Sequence, residues 1–381
     1  MERAMSAGEI SRVTGAAIGV APLLVVLVSL LLSGCGVTSI FNAPAPLATH
    51  VTIPYSVGDS GTTTAGLTAL NGRDGNDAWH AATGEPSTNF QPIMVNGIIY
   101  TEGGSAQASS RTLVAVRASD GHILWKAPIP NPDFTIASDG VVVLAQAKAD
   151  GLFALDAATG ALRWRLDQPA TDPVYVKDGI AVATIADAQG QGAHLAVYQE
   201  ADGKPLWQLI YAALVGINNN AVYTSESNEV LAYAARTGKE LWHSEIAGSL
   251  VGVNDQSVLV SGSRNVASLD PATGRTLWDV PVEFDGWKGI VQTPTLVYGA
   301  HNDSIIALSI TNGTSTTLSA EFAGYTVIQI TEIQGVVFAM LAGGPESSKP
   351  ARVAALDGAS GRVYWQRDIQ EILFLANNVQ V

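Results

Sequence analysis

Cysteine occurs once in the 381 residues, so the chain can form no internal disulfide, no Cys-based zinc site and no iron–sulfur cluster. Charge is scarce as well: Asp, Glu, Lys and Arg make up 14%, against roughly 25% in ordinary soluble domains. Positive charge is the rarer sign, with 20 Lys and Arg against 34 Asp and Glu. The resulting formal charge of −14 argues against a nucleic-acid partner or a polybasic membrane contact. The six histidines (His50, His80, His122, His194, His243, His301) are scattered with no metal-ligand spacing. No Gly-x-Ser-x-Gly elbow occurs, and glycine-rich pieces such as Gly103-Gly104 lack the Lys and helix of a phosphate loop. What is abundant is apolar side chain, at 47%, and glycine, at 38 residues. The first can fill a large core and excludes disorder; the second points to many tight turns. The length fits two ordinary domains or one large repetitive one.

The first 35 residues read as an address. Val13 to Cys35 carries no charge, and Arg3 and Arg12 upstream are balanced by Glu2 and Glu9. The apolar stretch is near the length a membrane anchor needs. Its end, Leu32-Ser33-Gly34-Cys35, resembles the bacterial lipobox. That resemblance implies cleavage after Leu32-Ser33-Gly34 and acylation of the Cys35 thiol with diacylglycerol. Residues 1–34 are therefore expected to be a lipoprotein signal peptide, and 35–50, with Ala-Pro-Ala-Pro at 43–46, an extended tether. An ordinary cleaved signal, or an uncleaved anchor with a chance Cys, is the other reading.

Residues 51–381 are built on an internal repeat. Aligned on one glycine, eight copies appear, at Gly75, Gly121, Gly160, Gly203, Gly238, Gly274, Gly313 and Gly361. Eight positions upstream every copy is aliphatic, and five upstream every copy is apolar. Four downstream stands Trp in seven: Trp79, Trp125, Trp164, Trp207, Trp242, Trp278 and Trp365; only Thr317 departs. Asp, Asn or Ser often opens the turn, and the glycine supplies the left-handed residue that closes a hairpin. A small residue (Ala69, Ala115, Ala154, Ala232, Ala307, Ala355) sits before the turn, where a neighbouring sheet can approach. Two further short strands lie between copies, so each unit of roughly 41 residues holds four strands, the arithmetic of a β-propeller blade. No segment has helical periodicity. An all-β, eight-bladed propeller is expected, with the C-terminal segment Glu371–Val381 supplying the inner strands of the blade that begins the domain. Pairing of N- and C-terminal strands would close the ring and remove free sheet edges. Seven blades with a decayed unit around Thr317 is the alternative count.

The repeat resembles the PQQ-type (pyrroloquinoline-quinone-like) propeller family, whose core is Ala-Leu-Asp-x-x-Thr-Gly-x-x-x-Trp; residues 154–164 match it fully. The resemblance implies that the seven Trp dock between adjacent blades. In the family's quinoprotein dehydrogenases a vicinal cysteine disulfide, a calcium held by Glu and Asn or Asp, and a catalytic Asp accompany the quinone. This chain has no Cys pair, and its repeat Asp156, Asp270 and Asp357 occupy a turn position that Asn71, Gln199 and Ser309 fill elsewhere. No cofactor, metal or catalytic residue is therefore expected. In lipobox, layout and repeat the chain is similar to the propeller lipoproteins of outer-membrane β-barrel assembly. The resemblance implies a membrane-anchored, monomeric scaffold for other envelope proteins. It would face the periplasm from the outer membrane of a two-membrane cell, or sit on the outer surface of the cell membrane otherwise. A quinone- or small-ligand-binding redox module and a cell-surface sensor or adhesion module are the rival readings. Long polar insertions at Glu102–Arg111, Asp187–His194 and Gly343–Arg352 fall on one face of the disc. With Trp287, in an inter-blade connection, they nominate Glu102, Arg111, Gln191, Trp287 and Lys349 as a partner face. Packing of Trp287 into the channel mouth is its other reading.

Overall fold

The computed structural model describes residues 52–57, 65–84, 90–104, 111–130, 135–147, 150–186, 193–210, 213–226, 229–246, 248–285, 290–301, 303–318, 322–343, 349–369 and 372–378. The stretch expected to be a signal peptide, Cys35 and the expected tether lie outside them. The body is all-β. Among the described residues the strands form eight sheets, seven of four strands and one of five, in which sequence neighbours pair antiparallel and only the C-terminal strands join from elsewhere. A representative unit runs Ala170–Lys177, Ile180–Ala186, Ala193–Gln199, Pro205–Ile210. The segment around Thr317 makes its own sheet from Val291–Gln292, Leu296–His301, Ser304–Ser309 and Ser315–Thr317. Numbering units by their glycines, Gly75 marks unit one and Gly361 unit eight.

The repeat residues have distinct jobs. Each of the eight glycines has φ between 66° and 73°, which a side chain would strain. In unit three the Gly160 N–H donates to Asp156 O at 2.8 Å, while Asp156 Oδ1 accepts from Ala158 N, Thr159 N and Thr159 Oγ1. Asp270 and Asp357 cap their turns in the same way. After the turn, one extra residue enters the outer strand of all seven Trp units, a bulge that sets Trp opposite an Ala or Ser in six of them, as in Ala154↔Trp164 and Ala355↔Trp365, and opposite Val197 in unit four. Unit seven has no such shift: Thr316 stands opposite Ala307, and Thr317 falls one step on, opposite Ile306.

That bulge aims each indole at the next unit. Trp79 Nε1 donates to Ala118 O, Trp125 to Ala157 O, Trp164 to Glu200 O and Trp207 to Ala235 O. Trp242 donates to Pro271 O, Trp278 to Ile310 O and Trp365 to Gly72 O. In every case the acceptor is three residues before the next unit's glycine. The rings pack onto those glycines so closely that a Cβ on Gly121 would sit 2.6 Å from Trp79. The last of these bonds returns from unit eight to unit one.

The C-terminal segment differs from expectation. It gives unit one a single inner strand, Ile372–Leu375, which pairs with Thr52–Val57; that N-terminal strand is the other inner member. The next residues, Asn377–Asn378, leave this sheet and pair parallel with Ile93 and Met94 of unit two. Gln329 of unit eight fixes the crossing point, its Nε2 donating to Leu375 O at 2.8 Å and its Oε1 accepting from Leu375 N at 2.8 Å.

Candidate functional site

Strand order gives the body two unlike faces. Turns joining strands one to two and three to four emerge at one end of every sheet; the two-to-three loops and unit-to-unit connections emerge at the other.

On the long-loop face the nominated residues do not form one surface. Gln191 and Trp287 lie outside the described residues. Glu102 and Arg111 are not exposed: Glu102 is 0% and Arg111 5% accessible, with Arg111 Nε 3.3 Å from Glu102 Oε1. They stand near the end of one strand and at the start of the next in an antiparallel pair, so their opposite charges neutralise each other in the interior instead of facing a partner. Lys349 is exposed. Its ammonium lies 4.9 Å from the Tyr325 ring centroid, and the Arg352 guanidinium lies 4.7 Å from the same centroid. Lys349 Nζ also donates to Ala323 O at 3.3 Å, and Arg352 Nε to Asp368 Oδ1 at 2.6 Å.

The turn face carries features that the repeat pattern did not disclose. The first is a set of tyrosines on second strands. Tyr100, Tyr223 and Tyr298 each pair with the small residue of their hairpin: Ala115, Ala232 and Ala307. Each hydroxyl reaches the carbonyl three before the next glycine: Ala157 O at 3.3 Å, Pro271 O at 3.2 Å and Gly358 O at 3.1 Å. In units two and five the Tyr shares that carbonyl with Trp; in unit seven Tyr298 makes the link where the Trp is missing. Burial raises the Tyr298 phenol to about 12, so it stays a donor throughout the physiological range.

The second is a buried carboxyl pair in the seam of units three and four. Glu200 and Asp139 are 6% and 8% accessible and close enough for the charge of one to act on the other. Glu200 Oε2 accepts from Gly179 N at 2.9 Å, and Asp139 Oδ1 from Val141 N and Val142 N. Burial, and then the charge of Asp139, push the Glu200 carboxyl above the usual range.

The third is a cavity of about 460 Å³ between units five and six. Its walls are the inner turn of unit five (Asn218, Asn220), Asp255 of the corresponding turn in unit six, Leu241, and the hairpin turn Pro271-Ala272. Among the described residues, no group of three or more His, Cys, Asp or Glu is placed to hold a metal ion.

Sheets that each hold one copy of the glycine-turn hairpin, seven of them tied to the next by an indole-to-carbonyl bond and complete in units three and six as Asp-x-x-Thr-Gly-x-x-x-Trp, define a β-propeller of PQQ-like repeats. The chain belongs to the family described as outer membrane protein assembly factor BamB, whose sequence profile matches residues 40–135, 133–220 and 226–372. No curated protein matches the chain. Among solved structures, BamB from Moraxella catarrhalis is similar at 18% identity and a TM-score of 0.50, over 79% of this chain and 91% of that one. The dihydro-heme d1 dehydrogenase NirN is similar at 10% identity and a TM-score of 0.63, over 85% and 74%. Quinohemoprotein alcohol dehydrogenase ADHIIG from Pseudomonas putida HK5 is similar at 14% identity and a TM-score of 0.52, over 78% and 69%. At these identities the three structures speak for the fold alone.

Proposed function

We propose that the chain is a non-catalytic scaffold that binds other envelope proteins, takes part in outer-membrane protein assembly, and is held at the membrane by lipid on Cys35. The observation that carries this reading is the family match, which runs from residue 40 to 372. The body is read as eight blades, one for each sheet, closed between Thr52–Val57 and Ile372–Leu375 and sealed by Trp365 on Gly72. A ring tied at every seam suits a platform that must present loops without changing shape. The Leu32-Ser33-Gly34-Cys35 ending supports the anchor, with residues 35–50 as its tether.

The dehydrogenases that share the fold favour a second reading, a quinone-binding redox module. The residues do not fit that group. The chain has one Cys, and the repeat carboxylates Asp156, Asp270 and Asp357 accept the N–H bonds of their own turns. On the scaffold reading, the purified protein supplied with quinone and calcium oxidises neither alcohols nor sugars; saturable, calcium-dependent turnover would establish the redox module instead.

The deciding experiment deletes the gene and restores it as wild type or as Cys35→Ser. Folded outer-membrane β-barrel protein is expected to fall on deletion and recover with wild type only. Cys35→Ser is expected to leave the membrane fraction and lose labelling by a fatty-acid analogue. Unchanged barrel levels on deletion would remove the assembly role, and undiminished labelling of the mutant would remove the lipid anchor.

A further inference from the structure

We propose that the crevice between units five and six receives an arginine side chain presented by a partner protein. The argument begins with a comparison inside the molecule. Each seam on the turn face sets the inner turn of one unit against the hairpin turn of the next. In the seam of units four and five the protein fills this place itself. Arg236, two residues before Gly238, reaches back to Asp178 and donates from Nη2 to its carbonyl at 2.9 Å. Its guanidinium lies 3.3 Å from the point where a Cβ on Gly179 would stand.

The next seam repeats this geometry without the side chain. Asn220 corresponds to Gly179, because each carbonyl accepts the N–H three before its unit's glycine: Ala235 N to Asn220 O at 2.9 Å, and Glu200 N to Gly179 O at 3.0 Å. Asn219 therefore corresponds to Asp178. The residue two before Gly274, where unit five carries Arg236, is Ala272, and the crevice stands open as a cavity of about 460 Å³.

The chemistry around the opening suits the same group. Asp255 and Asp270 contribute two carboxylates, and no Lys or Arg lines the cavity. The hydrogen bonds that Asp270 accepts from Ala272 N, Thr273 N and Thr273 Oγ1 all run to Oδ1. Asp255 accepts from Asn219 N and Nδ2 at 3.4 and 3.1 Å, which holds its carboxylate at the seam. Leu241, 48% exposed, and Pro271 offer apolar wall for the methylene arm of a long cationic side chain. A guanidinium suits the place better than an ammonium, because its planar fork can meet a carboxylate and a turn carbonyl at once, the second of these being the contact that Arg236 makes with Asp178 O.

The proposal gives the partner of the scaffold a recognisable chemistry and rests on that reading for its use in the cell; its test involves no cellular partner, so the two fail separately. The full chain, purified in detergent with alanine methyls labelled, is titrated with acetyl-Gly-Arg-Gly-amide and with the citrulline counterpart, which keeps shape and loses charge. The methyl signals of Ala221 and Ala272 are expected to shift saturably with the arginine peptide and at least tenfold more weakly with citrulline. Asp255→Asn is expected to weaken the response several-fold. Ala272→Arg, which copies Arg236, is expected to abolish the response at Ala221. No saturable shift, equal response to citrulline, or an unchanged response in Asp255→Asn would each overturn the site, and that last variant decides the matter should Ala272→Arg fail to fold.

Discussion

Two seams of the propeller do the same work with different atoms. Between units five and six, Trp242 buries its ring on Gly274 and donates from Nε1 to Pro271 O at 2.9 Å. Between units seven and eight the repeat position holds Thr317 in place of Trp, and Tyr298, from a different strand, donates to Gly358 O at 3.1 Å. Gly361 is met there by the backbone of Leu318 rather than by a ring. What both seams retain is a donor on the carbonyl three before the glycine. The ring contributes area, and the bond to that carbonyl is the contact the two seams have in common.

The largest way to break this comparison is to remove an indole. Trp164 is 8% accessible and donates to Glu200 O at 2.6 Å. Trp164→Ala should cost roughly 3–5 kcal/mol, the range for large aromatic truncations in cores. Denaturant unfolding of the variant measures the loss, and a cost below about 1 kcal/mol would show that the seam does not depend on the ring.

A finer cut separates the hydrogen bond from the area. Tyr298→Phe removes the hydroxyl that serves Gly358 O in the seam without Trp, and should cost about 1–3 kcal/mol, the range for stranding a buried polar group. Tyr100→Phe removes a hydroxyl whose acceptor, Ala157 O, also takes the Trp125 N–H at 3.0 Å. It should cost only about 0.5–1.5 kcal/mol. Equal losses in the two variants would mean that the tyrosines act by packing alone.

Why the Trp seams were legible and the Tyr seam was not follows from the loops. Gly and Trp stand a fixed four residues apart across one tight turn, so alignment on the glycine finds both. Tyr100, Tyr223 and Tyr298 stand beyond the two-to-three loop, 21, 15 and 15 residues before Gly121, Gly238 and Gly313, and the variable loop erases their register. The Glu102–Arg111 pair was misread for a related reason. Charges flanking an insertion look exposed in sequence, and only the folded chain shows that the two side chains are buried together. The C-terminal clasp was legible as a surplus strand but not as one that splits between units one and two. The crevice beside Ala272 had no sequence signal of its own. An alanine in a turn means little until the neighbouring seam shows Arg236 in its place.

A third test uses pH. In the seam of units three and four, Glu200 is packed against Asp139, with Arg163 near enough to favour its charge; burial is the larger effect and raises its pKa. The folded state therefore holds this proton more tightly than the unfolded chain, so the contribution of Glu200 to stability is greatest at pH below the ordinary glutamate value. It declines as pH rises through the raised folded value. Glu200→Gln keeps an oxygen for Gly179 N and can donate to Asp139 at any pH. It should melt above wild type at pH 7.5, with the gap closing toward pH 4. Parallel melting curves across that range would show that Glu200 does not carry the dependence.

The smallest expected effect is the most discriminating for how the repeat should be read. Alignment alone recommends Thr317→Trp, since it restores the template residue in the one unit that lacks it, and consensus substitutions often stabilise by about 0.5–2 kcal/mol. The structure argues otherwise. Without the bulge, Thr317 pairs with Ile306 instead of the small Ala307, and a one-residue slip sends a side chain to the opposite face of a sheet. Thr317 is exposed, Leu318 already occupies the space against Gly361, and Tyr298 already satisfies Gly358 O. A Trp at 317 would thus meet neither the glycine nor the carbonyl, and its effect should stay within about 0.5 kcal/mol, as for surface changes generally. Chemical denaturation of the single variant, and of the pair with Tyr298→Phe, separates the possibilities. If Thr317→Trp rescues the loss caused by Tyr298→Phe, the strand has shifted register to recover the bulge, and the hairpin sequence rather than the tyrosine governs that seam.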